Sequence, residues 1–296
     1  MWVVAELNED YITRMEDVLE VYERPYDQQE PVVCMDEKPI TLHADVRPAS
    51  PAAPGREARR DNEYERCGTA NVFCAVEPKA GRHFTFATPD RSGFEFAQVA
   101  VILAMAYPEA KTIHLVLDNL NIHRRKALAD VFGAEMAAQV WGRFTVHYTP
   151  THGSWLNQAE IEIGMFSRQC LGKRRIPSLK ILKAEARAWN RRANRDRVKI
   201  AWKFDRKAAR RKFRYNSKSF KRSRTYCRQR PNAVSVILPL RSLNPYVSTF
   251  ALFIIRAKFL NGAPAGVNIP TPQMMILPPL TTMNREGPRT GASCRK

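Results

Sequence analysis

Three acidic residues lie within or directly after apolar stretches of this 296-residue chain. Asp36 follows the letters VVCM, Asp118 follows IHLVL, and Glu160 follows SWLNQA. An ionised carboxylate is costly in an apolar environment unless it is paired or binds a metal. Three such residues spread along one domain therefore predict a single carboxylate site for a divalent metal ion.

The first two carboxylates are predicted to lie on strands. Residues 111–117 are almost continuously apolar, which is typical of a strand buried on both faces, and Asp118 stands at its carboxyl end. Ligand sites of open α/β sheets lie just beyond such strand ends. Asp36 falls in an extended segment, on the same face as Val32 and Cys34. If the two strands are neighbours, both carboxylates can reach one site.

Periodicity alone does not identify the third carboxylate. Glu160 opens a predicted helix, and its apolar stripe leaves Glu160 and Glu162 on opposite flanks. Asn157 followed three residues later by Glu160 also resembles a capping box, in which Glu160 would serve the start of the helix. The residues by themselves leave these interpretations open.

Two Asp and one Glu would suit Mg²⁺, which prefers hard oxygen ligands in octahedral geometry. Two such ions about 4 Å apart can activate an attacking oxygen and stabilise a leaving one, so that no covalent nucleophile is needed. The sequence indicates none, because it has no GxSxG, HExxH or Walker A motif. Its six cysteines form no CxxC pair, which favours free thiols over a zinc ribbon or a redox site.

The order of predicted elements favours an α/β fold. A helix capped by Asp10 comes first, then strands at 32–46, 71–76 and 83–87, the last two forming a hairpin. Alternating elements follow: a helix capped by Ser92, the strand at 111–117, one helix over 124–140, a strand at 144–148, the helix of Glu160 and a basic helix capped by Ser178. Early antiparallel strands followed by alternating helices and strands predict a mixed sheet with helices on both faces.

The net charge of +19 is unevenly distributed. Residues 1–167 hold 16 Lys and Arg against 25 Asp and Glu, whereas residues 168–230 hold 25 against 3. A block this one-sided indicates a polyanionic partner, with nucleic acid as the default. No apolar run approaches the roughly 18 residues needed to span a membrane. We predict DNA contacts from six basic residues: Lys173, Arg174, Arg175, Arg191, Arg192 and Arg195.

Three blocks of residues resemble the catalytic motifs of DDE transposases, with the closest resemblance to the bacterial insertion-sequence branch of the mariner-like superfamily. They are VCMDEK around Asp36, LVLDN around Asp118, and HGSWLNQAE ending at Glu160. The third block is the most specific, and its Asn-x-x-Glu step selects Glu160 over Glu162. The resemblance covers about residues 10–215 and implies an RNase H-like fold.

The resemblance also implies a metal-dependent enzyme of DNA transposition. Asp36, Asp118 and Glu160 would be both the catalytic residues and the ligands of Mg²⁺ or Mn²⁺, with two ions. Water would cut a phosphodiester at the element's end, and the freed 3′-hydroxyl would attack target DNA. The partners would be double-stranded transposon ends and target, and a homodimer is left open. Four residues belong to the motif surroundings and are predicted to support the site: Asn119, His123, Trp155 and Asn157.

We divide the chain into four parts: an N-terminal helix and linker (1–30), an RNase H-like catalytic domain (31–177), a basic helical DNA-binding segment (178–230) and a poorly ordered tail (231–296). Such transposases carry N-terminal helix-turn-helix modules, for which about 30 residues leave no room, so a truncated enzyme of the bacterial cytoplasm and nucleoid is expected. Two alternatives are a catalytically silent DNA-binding remnant and an RNase H-like nuclease that cuts without joining strands.

Overall fold

The structure, a computed structural model, describes residues 7–216. Within these residues five strands form one sheet: β1 (Val32–Asp45), β2 (Tyr64–Glu77), β3 (Arg82–Thr88), β4 (Ile113–Leu117) and β5 (Phe144–Tyr148). The order is β3-β2-β1-β4-β5; β1, β2 and β3 are antiparallel neighbours, whereas β4 is parallel to β1 and β5 is parallel to β4. The predicted mixed sheet is confirmed, and this arrangement is an RNase H-like fold.

Helices lie on both faces of the sheet, as predicted. In the described part of the chain they are α1 (Glu9–Glu23), α2 (Gly93–Ala106), α3 (Arg125–Phe132), α4 (Ala134–Trp141), α5 (Ala159–Met165), α6 (Leu179–Asp196) and α7 (Arg206–Phe213). A 3₁₀ turn (Ser154–Leu156) precedes α5, and a π-helical turn (Phe166–Leu171) follows it.

The alternation of side chains along the strands divides the core between the two faces. Met35 of β1 and Leu115 of β4 are buried against α2, α3 and α4. Their neighbours Cys34 and Val116 point to the opposite face, where they pack with α1, α5 and α7. A second cluster on that face joins β1 and β2 to α5 and α6. Burial of every residue of β4 confirms the interpretation of its continuous apolar run.

Two predictions of helix boundaries are wrong and two are confirmed. The single helix expected over 124–140 is broken at Gly133, whose φ of +86° is left-handed and ends α3 before α4 begins. Helix α1 is capped by Asn8, whose side chain accepts from the Tyr11 N–H at 2.8 Å, and Asp10 lies in its first turn. Ser92 and Ser178 are the caps of α2 and α6, as predicted.

Several predictions fall partly or wholly outside the described residues. These are the tail at 231–296, the last residues of the basic segment, and Cys227 and Cys294. Cys34, Cys67, Cys74 and Cys170 are free thiols, as predicted. Among residues 7–216, no helix is both long and apolar enough to cross a membrane.

Candidate active site

Two of the three predicted carboxylates come from neighbouring strands. β1 and β4 are parallel, with Cys34 paired to Val116 in their register. Two residues beyond this pair in each strand direction, the register brings Asp36 of β1 next to Asp118, which directly follows β4. The adjacency that the sequence left conditional is therefore present.

Like charge is concentrated around Asp36, which is only 7% exposed. Its Oδ1 accepts a hydrogen bond from the Glu37 N–H at 2.8 Å. The pKa of Asp36 is raised to about 7, mainly by burial and also by the carboxylates of Glu160, Glu37 and Asp118, whereas the hydrogen bond from Glu37 acts to lower it. A carboxyl group surrounded by negative charge ionises more readily when a cation is near. This environment therefore favours a bound cation.

Asn157 connects the start of α5 to β1. Its Nδ2 donates to the Met35 carbonyl at 2.8 Å and lies 3.5 Å from Asp36 Oδ2, while its Oδ1 accepts from the Ala159 N–H. The backbone N–H of Asn157 donates to Ser154, so the capping box that would have occupied Glu160 is not formed. Asn157 thus holds the helix of Glu160 against the strand of Asp36.

Glu160 and Glu162 have opposite environments on α5. Glu160 is exposed, and its carboxylate makes no hydrogen bond or ion pair with residues 7–216. Glu162 is completely buried, with its oxygens 2.8 Å from both His83 Nδ1 and Trp189 Nε1. Glu162 is satisfied by these internal contacts, whereas Glu160 is free and acts electrostatically on Asp36. Of the two glutamates, Glu160 is thus the one exposed to an external ligand, and its role as a metal ligand stays a prediction.

His123 provides the positive charge of the site. Its ring is fully buried, with Nδ1 2.6 Å from Asp118 Oδ1 and Nε2 3.2 Å from Glu37 Oε2. Neither contact has the alignment of a hydrogen bond, so the attraction is one of charge. Burial lowers the pKa of His123, but the two carboxylates outweigh burial and raise it to about 9. Burial likewise opposes ionisation of Asp118, and His123 reverses this effect and lowers its pKa.

The other two supporting residues hold loops in place. Asn119 donates from Nδ2 to the Thr149 carbonyl and accepts from Arg14 Nη1 at 2.6 Å. Trp155 is 42% exposed, and its Nε1 donates to the hydroxyl of Tyr11 at 3.2 Å. Its ring also packs edge-on against Phe204, with centroids 5.4 Å apart. These contacts join the loops after β4 and β5 to α1 and to the segment before α7.

An open cleft of about 290 Å³ lies at the loop that follows Asp118. It is lined by Arg14, Asn119, Leu120, Arg124 and Tyr148. Arg14 is paired with Asp10 at 3.0 Å, whereas Arg124 has no carboxylate partner among residues 7–216 and can face an anionic group in the cleft.

The donor types at the site fit Mg²⁺ or Mn²⁺. Asp36, Asp118 and Glu160 offer hard carboxylate oxygens, and negative charge already accumulates around Asp36. Within residues 7–216 no three His, Cys, Asp or Glu side chains are gathered closely enough to hold a metal ion. One oxygen of Asp118 faces His123 instead. The donor set therefore fits a divalent cation in its chemistry, whereas the three side chains are not gathered into a closed metal site, and their role as ligands remains a prediction.

The six basic residues predicted to contact DNA divide into two groups. Arg174 forms two contacts of 2.8 Å with Glu185, and Arg175 contacts Asp45 at 2.8 Å and three backbone carbonyls. Both are thus bound within the protein. The other four are exposed: Lys173, Arg191, Arg192 and Arg195. Of these, Arg192 donates to Gln169, and Arg195 pairs with Asp196.

Three residues of this region were not selected from the sequence. Glu37 lies in the first motif block, but alternation along β1 turns it to the other face, where it meets His123. Glu162 was considered only as a rival of Glu160. Its partner His83 lies in the predicted hairpin, and 79 residues separate the two, so no local pattern connects them.

The fold and the site define a class: an RNase H-like domain with acidic residues on or directly after two adjacent parallel strands. The family model described as DDE superfamily endonuclease matches residues 31–183. The chain belongs to this family and is an enzyme domain of the DDE endonuclease class. Comparison with curated proteins gives no match.

Solved structures of a mariner transposase are similar to this chain. A Mos1 mariner paired-end complex with Mn is 19% identical, with a TM-score of 0.41, and the match covers 67% of this chain and 61% of that one. A pre-cleavage Mos1 transpososome is 17% identical, with a TM-score of 0.43 and coverage of 68% and 67%. A Mos1 paired-end complex with Mg is 17% identical, with a TM-score of 0.40 and coverage of 67% and 59%. The chain thus spans about three fifths of the Mos1 chain in the first of these structures.

Proposed function

We propose that this chain is the catalytic domain of a DNA transposase from the bacterial insertion-sequence branch of the DDE family, acting on DNA in the cytoplasm. The proposal rests above all on one observation. Asp36 lies on β1, Asp118 directly follows the neighbouring parallel strand β4, and Asn157 holds the helix of Glu160 against β1 at Met35. The reaction would cut a phosphodiester bond and then join a 3′-hydroxyl to target DNA.

Asp36, Asp118 and Glu160 would hold Mg²⁺ or Mn²⁺ as two ions. When bound, the metal supplies an activated attacking oxygen and stabilises the leaving one. His123 holds its charge next to Asp118 and keeps that carboxylate ionised. Asn157 fixes the orientation of Asp36 relative to α5. Arg124 of the neighbouring cleft would face an anionic backbone.

The outer face of α6 is the proposed surface for DNA. Leu182, Ala186, Trp189 and Ala193 bury its inner face. A row of cations spaced i, i+7, i+11 and i+15 occupies the exposed face: Lys180, Arg187, Arg191 and Arg195. At 1.5 Å per residue the row is about 22 Å long, a length over which several phosphates of a duplex lie.

The basic row of α6 differs from the arginines that precede the helix. Lys180, Arg187 and Arg191 make no hydrogen bond or ion pair with another described residue. Arg174 is instead committed to Glu185. Because unpaired cations neutralise phosphates without first breaking an internal contact, we assign the main DNA contact to α6. The contact is expected to have little preference for base sequence.

The test is a combined cutting and joining assay. The full chain is incubated with supercoiled plasmid and a duplex oligonucleotide carrying a free 3′-hydroxyl, in Mg²⁺ and in Mn²⁺. We expect nicked plasmid and a joined product, both of which require metal. An Asp118→Ala variant, purified in parallel and shown to be folded by circular dichroism, is expected to yield neither.

The other outcomes contradict the proposal in different ways. Nicking without a joined product indicates an RNase H-like nuclease. Binding to DNA with neither product indicates a catalytically silent remnant. Activity that survives Asp118→Ala removes the carboxylate site from the mechanism.

A further inference from the structure

Helix α5 contains a carboxylate that the proposed reaction does not use. Glu162 is completely buried, two residues after Glu160. Burial of a carboxylate is costly unless its oxygens are hydrogen-bonded. Both oxygens of Glu162 have a partner at 2.8 Å, His83 Nδ1 of β3 on one side and Trp189 Nε1 of α6 on the other. One side chain thus joins three elements.

The partner His83 is itself held on several sides. Its Nε2 lies 2.8 Å from the Val198 carbonyl, in the segment after α6. Its backbone N–H donates to Asn194 Oδ1 at 2.9 Å, and its carbonyl accepts from Asn194 Nδ2 at 2.8 Å. Because ring and backbone are both fixed, His83 offers Glu162 a rigid point of attachment.

Helix α5 depends on such attachments for its orientation. It has only seven residues and continues into a π-helical turn. A helix this short is not stable by itself, so tertiary contacts decide how it lies. Two of its polar anchors are Asn157, which reaches β1 before the helix, and Glu162 within it. Glu160 lies between these two anchors.

Helix geometry links the two glutamates. Residues two apart on an α-helix point about 200° away from each other. Fixing Glu162 towards β3 and α6 therefore turns Glu160 away from the core. The Asn157 carbonyl accepts from the Glu160 N–H at 3.1 Å, and the Asn157 side chain contacts β1 at Met35 and Asp36, so this outward direction is also the direction of the acidic site.

We propose that Glu162 is a positioning residue: held by His83 and Trp189, it fixes the rotation of α5 and places the Glu160 carboxylate beside Asp36 for binding of a divalent cation. The inference rests on the proposed function, because it assigns Glu160 to cation binding. It goes further in naming the contacts that set the position of Glu160.

The experiment measures Mn²⁺ binding to the full chain in the absence of DNA, by electron paramagnetic resonance of free Mn²⁺. Glu162→Ala removes both contacts and is expected to weaken binding by about tenfold or more, as removal of groups that orient metal ligands commonly does. Glu162→Gln can accept from Trp189 and donate to a neutral His83, so binding is expected to stay within about threefold of the wild-type affinity.

A second buried glutamate provides the matched control. Glu77 of β2 is also buried and accepts from the hydroxyl of Tyr107 at 2.9 Å, but it belongs to neither α5 nor the acidic site. Glu77→Ala is expected to lower the melting temperature and to leave Mn²⁺ affinity unchanged. If Glu162→Ala does not fold, Trp189→Phe removes a single donor and is expected to weaken Mn²⁺ binding by a few fold.

The outcomes separate this inference from the proposed function. Wild-type protein that binds no Mn²⁺, or binds it equally well after Asp118→Ala, overturns both. If Mn²⁺ binding by the wild type depends on Asp118 but is unchanged in folded Glu162→Ala, the inference alone is overturned. Where Glu162→Ala does not fold, unchanged Mn²⁺ binding in Trp189→Phe has the same meaning. If Glu162→Ala and Glu77→Ala weaken Mn²⁺ binding equally, Glu162 has only a structural role and the inference is overturned.

Discussion

Two charged regions on the same face of the sheet differ in how their charges are paired. In the acidic site, three carboxylates act on Asp36. In the contact between α1 and α7, each cation has a carboxylate: Arg206 lies 2.8 Å from Glu23, and Arg210 lies 2.5 Å from Glu16. Paired opposite charges serve folding, whereas a buried carboxylate with a raised pKa among other carboxylates, such as Asp36, is typical of a functional site. The difference indicates that the acidic site, and not the contact between α1 and α7, is the region suited to bind a ligand.

The same comparison divides the basic segment. The arginines of α7 that face α1 are matched by acidic residues of the N-terminal helix. Those on the outer face of α6, such as Arg187 and Arg191, are not matched. The basic residues of this segment therefore have two roles: those of α7 pair with α1 in the fold, and only the unpaired cations of α6 are available to a polyanion.

The largest expected effect comes from removing charge at the centre of the acidic site. Asp36→Asn should reduce DNA cutting by roughly a thousandfold or more, since a metal ligand contributes several kcal/mol to the transition state. The same change should raise the melting temperature, because it removes a buried charge among like charges. Cleavage assays and thermal unfolding of one preparation give both values. Asp130→Asn, on the exposed surface of α3, is the control and should change neither.

The next effect concerns the unmatched cations of α6. Replacing Lys180, Arg187 and Arg191 with alanine should reduce the salt dependence of DNA binding by about 2.7 in log–log slope, or about 0.9 for each phosphate that is no longer neutralised. Arg210→Ala, which removes a cation already paired with Glu16, should change the slope by less than about 1. Fluorescence anisotropy at several salt concentrations measures both. Equal changes in the two variants would remove the distinction between matched and unmatched cations.

A smaller effect is expected from the cation itself. Mg²⁺ at about ten times its dissociation constant should stabilise the wild-type fold by about 1.4 kcal/mol, because it binds only the folded state. For a chain of this size that corresponds to roughly 3 °C in melting temperature. Asp36→Asn should lose most of this increase. An equal increase in the variant would show that Mg²⁺ acts elsewhere on the protein.

The smallest effect is expected in the paired region. Glu16→Gln should destabilise the fold by about 0.2–1 kcal/mol at neutral pH, the range measured for solvent-exposed ion pairs. Burial opposes ionisation of Glu16, but Arg210 and Tyr215 outweigh it and hold its pKa below the usual value.

The pH dependence of this pair follows from the direction of that shift. A lowered folded-state pKa contributes stability that is present above the unfolded value, about 4.3, and is lost as the pH falls through the folded value. The difference in melting temperature between wild type and Glu16→Gln should therefore shrink below about pH 4. A difference that grows on acidification would contradict the assignment.

Some of these features could be predicted from the sequence, because they depend on local pattern. The continuous apolar run before Asp118 predicted a strand buried on both faces, and its neighbour carries Asp36. Side-chain caps such as Ser178 are also local signals. The break at Gly133 was missed because the apolar pattern of a helix continues across it.

Other features depend on partners far away in the chain. Periodicity could not distinguish Glu160 from Glu162, because their environments differ through the contacts of Glu162 with His83 and Trp189, which lie 79 and 27 residues from it. The pairing of Arg210 with Glu16 spans 194 residues. No window of sequence contains both partners, so composition alone could not separate matched from unmatched cations.

The most direct test of the acidic site is a crystal of the protein soaked in Mn²⁺, with data collected for anomalous scattering. We predict an anomalous peak between the carboxylates of Asp36 and Asp118, with Glu160 next to it. A map with no peak there, or with Mn²⁺ bound only elsewhere on the protein, would contradict the claim that these carboxylates form a metal site.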